Sequence, residues 1–227
     1  KLLPKRGKCR KIPASFLTWP KWALTNVWSL LTNSVWNQLN RQLRNKEKIW
    51  RNRLKSFRKS KRRDWRHARP QPLFHAIDIS RERLREFLFW VDNVQKVEDE
   101  RKTLSDFAEG WEKGEIFAYV LYNTDKKIVG TIDVHNISYG NHFAELGYWL
   151  KDGETGKGYI SEILPHIEKT FFSAGLHRLV IECETDNIAS AAVAERNGYV
   201  FEGIAAGKVF GYGKYRDCKV YAKVLPD

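Results

Sequence analysis

The chain has 227 residues, with 40 Lys/Arg against 27 Asp/Glu, three cysteines, nine tryptophans and no methionine. That length suits one domain plus an appendage, and no run of ~18 apolar residues is present to span a bilayer. Cys9, Cys183 and Cys218 are odd in number and lack metal-ligand spacing, which argues against a disulfide framework or zinc module and for a reducing, cytoplasmic compartment.

The charge is divided near Pro70. Residues 1–69 hold 21 Lys/Arg and 2 Asp/Glu, a net of +19, whereas residues 70–227 hold 19 and 25, a net of −6. Six of the nine tryptophans also fall in the first part. Three prolines in residues 1–20 predict an irregular leader. Apolar residues from Leu24 to Phe57 then recur at steps of three, four or seven among Asn, Lys and Arg, the pattern of an amphipathic basic helix. Such an arm suits RNA, the ribosome or an anionic membrane, or it is a solvated, poorly ordered extension; basic composition does not choose between them.

From Pro70 the pattern predicts two helical pieces, PQPLFHAIDIS and RERLREFLFWVD, and a third helix over 97–113 that Gly114 ends. Period-two segments follow at 116–122, 127–138 and 143–151, joined by short polar turns, which predicts an antiparallel meander. The third segment runs through KDGETGKGY into a helix over 158–174 with Gly175 as its stop. RLVIECE (178–184) then reads as a strand parallel to 143–151, reached by a helical crossover. Asn187 caps a helix over 188–197, and strands at 199–202 and 219–224 close the chain across the glycine-rich segment GKVFGYGKYRD.

Four segments stand in fixed order: AELGYWLK, GKGYIS, TDNIAS and RNGYVFEG. Together they resemble the GCN5-related N-acetyltransferase (GNAT) superfamily, in particular the RimJ/RimL-type branch that acetylates N-terminal amines of ribosomal proteins. The resemblance covers residues 71–225 and implies an α+β fold. Its sheet is mixed, mostly antiparallel, flanked by helices and splayed between the strands at 143–151 and 178–184. Relatives begin with an apolar strand before the segment matching PLFHAIDIS; here SFRKSKRRDWRHARP precedes it, so that first strand is expected to be missing.

The resemblance further implies acetyl-CoA as cofactor. Its pantetheine arm would lie along Tyr148, Trp149 and Leu150, its pyrophosphate on the N–H groups of Thr155, Gly156, Lys157, Gly158, Tyr159 and Ile160, and Asn187 would hold the opposite wall. Acetyl transfer needs a neutral amine, a donor to the oxyanion, a proton acceptor and a stabilised thiolate; the Leu150 N–H is the donor candidate. Ser190 takes the place of the branch's sulfur-facing serine, or is a helix-start serine. Glu145 is the candidate base, or an ion-pair carboxylate, and His135 on the adjacent strand is the rival base, an acceptor-pocket residue or a structural strand histidine. Trp90 is placed in the acceptor wall, or in ordinary core packing. No metal is expected.

Departures from the family pattern are Gly153 where Arg or Gln is usual, Ala194 where many members have tyrosine, and Val209 where the branch often has glutamate. The expected activity is acetyl transfer to a primary amine, foremost a protein N-terminus. The alternatives are a small-molecule amine acceptor, or a degenerate module whose residues 1–69 contact RNA or the ribosome. Oligomerisation is left open.

Overall fold

The computed structural model describes residues 69–225; the expectations for the basic arm and for a missing first strand lie outside them. Seven described elements precede the glycine turn between Leu150 and Tyr159. They are helices α1 (Pro70–Asp78) and α2 (Arg81–Leu84), a 3₁₀ turn at Phe89–Asn93, α3 (Val97–Lys113), and strands β1 (Phe117–Tyr122), β2 (Ile128–Ser138) and β3 (Phe143–Leu150). After the turn come α4 (Tyr159–Ala174), β4 (Arg178–Glu184), α5 (Ile188–Arg196), β5 (Val200–Gly211) and β6 (Lys214–Val224). The strands form one sheet in the order β1-β2-β3-β4-β6-β5. Among the described strands only β3 and β4 are parallel, as the helical crossover between them requires.

Local signals account for the helix limits. Asp99 Oδ2 accepts from the amides of Gln95 and Lys96, both at 3.0 Å, and closes the start of α3. Gly114 at φ 77° and Gly175 at φ 112° stop α3 and α4 in the left-handed conformation. The second predicted helix over 81–92 is shorter than its periodicity suggested. Only Arg81–Leu84 is α-helical, because Arg81 reaches forward and donates to the Val91 and Val94 carbonyls at 2.7 Å, pulling the chain into a compact turn.

Strand alternation gives the sheet two working faces. One carries Phe117, Ile132, Val134, Leu146 and Leu179 against α4, where Phe171 meets Phe117 edge-on with ring centroids 5.4 Å apart. Leu164, Ile167 and Phe171 of α4 are almost fully buried on this face, each contributing roughly 1.5–3 kcal/mol. Lys223 Nζ donates to Glu168 Oε2 at 2.7 Å and ties α4 to β6. The other face carries Ala118, Val120, Asp133 and Trp149 and meets α1 and α3 across a cleft.

The last two strands differ from expectation. The glycine-rich segment between them is not a loop but the far half of a long hairpin, with β5 and β6 paired from Val200↔Ala222 to Gly211↔Lys214. Tyr212 (φ 50°) and Gly213 (φ 76°) form its two-residue turn, the left-handed pair that matches strand twist. Its tip folds over the 3₁₀ turn, where Phe89 and Tyr212 meet edge-on at 4.9 Å and the Arg216 guanidinium lies 4.9 Å from the Phe89 ring centre. A Cβ at Gly211 would come within 2.3 Å of the Phe89 ring. Gly211→Ala is therefore expected to cost about 1–3 kcal/mol and to lower Tm by several degrees; an unchanged melting temperature would show that the tip does not depend on this contact.

Candidate active site

Strands β3 and β4 pair only at Phe143↔Arg178, Ala144↔Leu179 and Glu145↔Val180, and then part. The Lys151 amide donates to the Val129 carbonyl at 2.8 Å. Antiparallel ladders alternate groups facing the partner with groups facing away. The peptide groups of Leu146, Tyr148 and Leu150 therefore turn from β2 toward the gap. At its wide end Arg83 closes the row, donating to Leu150 O at 2.5 Å and to Asp152 Oδ1 at 3.2 Å.

Residues 151–158 carry the chain from β3 into α4. Gly156 (φ 76°) and Gly158 (φ 83°) occupy the left-handed region, and no atom lies within 4 Å of where either Cβ would be. Among the described residues no hydrogen bond engages the amides of Thr155 to Ile160. Those of Tyr159 and Ile160 belong to the first turn of α4, which has no intrahelical acceptor for them and carries the positive end of the helix dipole. Lys157 Nζ pairs with Glu154 at 2.9 Å beside them.

Across the gap, Asn187 Oδ1 accepts from the Ser190 amide at 3.0 Å and caps α5. The Ser190 hydroxyl lies 2.9 Å from the Tyr148 phenol, so the two walls of the gap meet through a pair of hydroxyls. Burial pushes the Tyr148 phenol up to about 12, which keeps it protonated at neutral pH. Cys183 also faces Ser190, and its thiol is raised by burial.

On the opposite face of β2 and β3 lies a charged cluster. His135 and Glu145 are cross-strand partners, with Nε2 and Oε2 3.6 Å apart, and His135 Nδ1 lies 2.6 Å from Asp133 Oδ1. Asn136 donates to Glu145 Oε2 at 3.0 Å. Gly147 leaves room for the cluster, since a Cβ there would stand 3.1 Å from both Asp133 carboxylate oxygens. Burial opposes the charge on His135, but the hydrogen bonds from Asp133 and Glu145 outweigh it and hold the ring up at about 9. Glu145 is lowered, first by its bond to His135. At neutral pH the cluster is one imidazolium between two carboxylates.

The cluster opens on a cleft of about 660 Å³ between the sheet and α1/α3. Trp90 and Trp149 both line it, with rings 6.3 Å apart. Of the residues singled out from the sequence, Tyr148, Asn187 and Ser190 meet across the gap. His135, Trp90 and Trp149 line the cleft and Glu145 stands behind His135, while Thr155 to Ile160 stand at the far end of β3. Two residues escaped the sequence reading: Asp133, which holds the His135 ring, and Arg83, which holds Leu150; for Tyr148 the sequence pointed to the backbone and not to its phenol. Asp133 carries a legible signal, because it and His135 sit two apart on one strand and share a face. Arg83 has none, since its target lies 67 positions away. Among the described residues no group of acidic, His or Cys side chains is arranged to hold a metal, and no helix is long and apolar enough to cross a membrane.

A histidine held at about 9 rather than its usual 6.5 makes stability depend on pH. Its contribution is complete below pH ~6.5 and is lost as pH rises through about 9. Wild type should melt above His135→Gln at pH 6, by on the order of 2 kcal/mol after allowing for solvent screening. The difference should fade by pH ~9.5; a gap independent of pH would show that the ring is not held charged.

Comparison with known proteins agrees with this geometry. The chain is 33% identical over 156 residues to the ribosomal-protein-serine acetyltransferase of Escherichia coli (strain K12), covering 68% of this chain and 87% of that protein. Among solved structures it is similar to the ribosomal L7/L12 alpha-N-protein acetyltransferase RimL in complex with coenzyme A. That match has 27% identity and a TM-score of 0.66, and covers 70% of this chain and 89% of that one. A microcin C7 self-immunity acetyltransferase solved with acetyl-CoA and AMP gives 25% identity and the same TM-score of 0.66, over 69% and 87% of the two chains. The acetyltransferase (GNAT) domain family matches residues 63–200, and with the splayed strands and the glycine turn already in place the chain belongs to that family of acetyltransferases.

Proposed function

We propose that the protein transfers the acetyl group of acetyl-CoA to a primary amine, foremost the α-amine of a protein N-terminus of the ribosomal type. The observation that carries this reading is the position of Glu145. It stands at the last paired residue of β3, where the strands part, and joins the acyl-carrier gap to the charged cluster of the cleft. The similarity to an E. coli ribosomal-protein-serine acetyltransferase supports the protein acceptor.

The chain's own groups fit the cofactor. The outward peptide groups of Leu146, Tyr148 and Leu150 suit the amides of pantetheine, as an added strand would. The unengaged amides of Thr155 to Ile160, with Lys157, suit its pyrophosphate. Acetyl-CoA supplies an acetyl thioester when bound. Asn187 holds the Ser190 backbone, and Ser190 Oγ, bonded to the Tyr148 phenol, is the proton donor that faces the sulfur side of the gap.

For the amine, the cluster separates the two candidate bases. A protonated His135 has no lone pair to offer at neutral pH, whereas Glu145 is ionised and therefore able to accept a proton. His135 then orients Glu145, and Asp133 orients His135. An α-ammonium of pKa ~8 needs only modest assistance.

A thermal shift with acetyl-CoA tests the cofactor. At ~100 times its dissociation constant it should add about 2.7 kcal/mol and raise Tm by several degrees; no shift removes the reading. Glu145→Gln should lower kcat about 100-fold at pH 7, the deficit narrowing above pH ~8 as the amine loses its proton unaided. A full-rate variant at pH 7 would exclude Glu145 as the base.

A further inference from the structure

Helix α3 turns Glu100, Leu104, Phe107 and Trp111 toward the interior, at steps of four, three and four. Three of these are the apolar residues such a stripe calls for. The fourth is a carboxylate, 2% exposed, and no described residue makes a hydrogen bond or ion pair with its side chain. A buried charge without a partner opposes folding, so its place needs a reason outside the apo fold.

Glu100 lines the same cleft as Trp90, Trp149, Asp133 and His135. The other charged groups of that lining are already matched. Asp99 caps the amides of Gln95 and Lys96, Asp106 pairs with Lys102 at 2.6 Å, and Asp133 holds His135. Among the described lining residues Glu100 alone has no charged or hydrogen-bonded counterpart. The same lining includes the apolar side chains of Leu73, Ile77, Leu88 and Leu104. Such a space suits an aliphatic stem with a cation at its end, the stem on the walls and the head on the carboxylate.

Building on the acceptor reading above, we propose that Glu100 is an acceptor-recognition residue that receives a second cationic group, carried on an aliphatic stem, while the reacting amine lies at Asp133, His135 and Glu145. The acceptor is then a dication. Its second charge comes either from a basic side chain at a peptide N-terminus or from the second amine of a free diamine. Burial holds the Glu100 carboxyl up at about 7, the state of a group that ionises fully only when a cation arrives. With Glu100 ionised, the cleft lining carries four carboxylates (Asp99, Glu100, Asp106, Asp133) against Lys102 and His135, an excess of negative charge that favours such a ligand.

The test compares matched acceptors in steady-state kinetics with acetyl-CoA: 1,5-diaminopentane against 1-aminopentane, and peptides beginning with lysine against norleucine. Wild type should prefer the dication in at least one pair by about tenfold in kcat/KM, chiefly through KM. The pair that shows it identifies the source. Glu100→Gln, which removes the buried charge and keeps the shape, should bring that ratio to near one. Equal ratios in wild type, or a preference that survives Glu100→Gln, overturn the proposal. Calorimetric binding of the same dications without acetyl-CoA separates this proposal from the acetyltransferase reading. Dication binding weakened by Glu100→Gln sustains the recognition role even if no acetyl moves, and monoamine acetylation without any dication preference removes it while leaving acetyl transfer intact.

Discussion

The parting of β3 from β4 beyond Glu145 and Val180 decides most of what surrounds it. A strand that loses its neighbour leaves a row of N–H and C=O groups, and buried groups of that kind are costly without partners. Among the described residues no strand re-pairs this row. Arg83 takes the Leu150 carbonyl at one end, the Tyr148 and Ser190 hydroxyls bridge the walls, and the groups between remain presented to the gap. The buried small side chains Ala191 and Ala194 seat α5 against the sheet beside this opening. Both the open gap and the hydroxyl pair that bridges it follow from one interrupted ladder.

The cleft on the other face is arranged on different principles. Segments far apart in the chain are drawn together by cations: Arg216 reaches the Glu86 carbonyl and the Glu184 carboxylate, and Arg85 pairs with Asp92 while Tyr212 donates to the same Asp92. These contacts fasten the hairpin tip to the turn that carries Trp90. Within the cleft, His135 between two carboxylates and Glu100, unpaired among the described residues, are both arrangements that hydrophobic residues of similar size often match or exceed in stability. Groups whose ionisation is displaced in this way concentrate where chemistry or recognition is performed.

Much of the fold was legible because local patterns were unopposed. The strand at 178–184 and the helix at 97–113 have the predicted limits, and Gly175 ends α4 where a left-handed stop was expected. The hairpin was not legible beyond its ends. Its glycines suggested a loop, yet cross-strand pairing and the packing of Gly211 on Phe89 override that local preference. The same applies to 85–93, where Arg81 bonding to Val91 and Val94 replaces a continued helix. Both failures lie where a distant partner, rather than the neighbouring turn of chain, supplies the hydrogen bonds.

By itself, the sequence determined the strand, glycine turn and helix that aim backbone amides outward, and the Asn187 cap that presents Ser190. These depend on φ preferences, periodicity and capping, all set within a few residues. Only the tertiary structure decided how far β3 pairs with β4, that Tyr148 meets Ser190 across 42 positions, and that His135 is charged between Asp133 and Glu145. It also decided that Glu100 lines the cleft without a partner among the described residues. Ionisation and pairing depend on burial and on neighbours from other elements, and those exist only once the sheet has assembled.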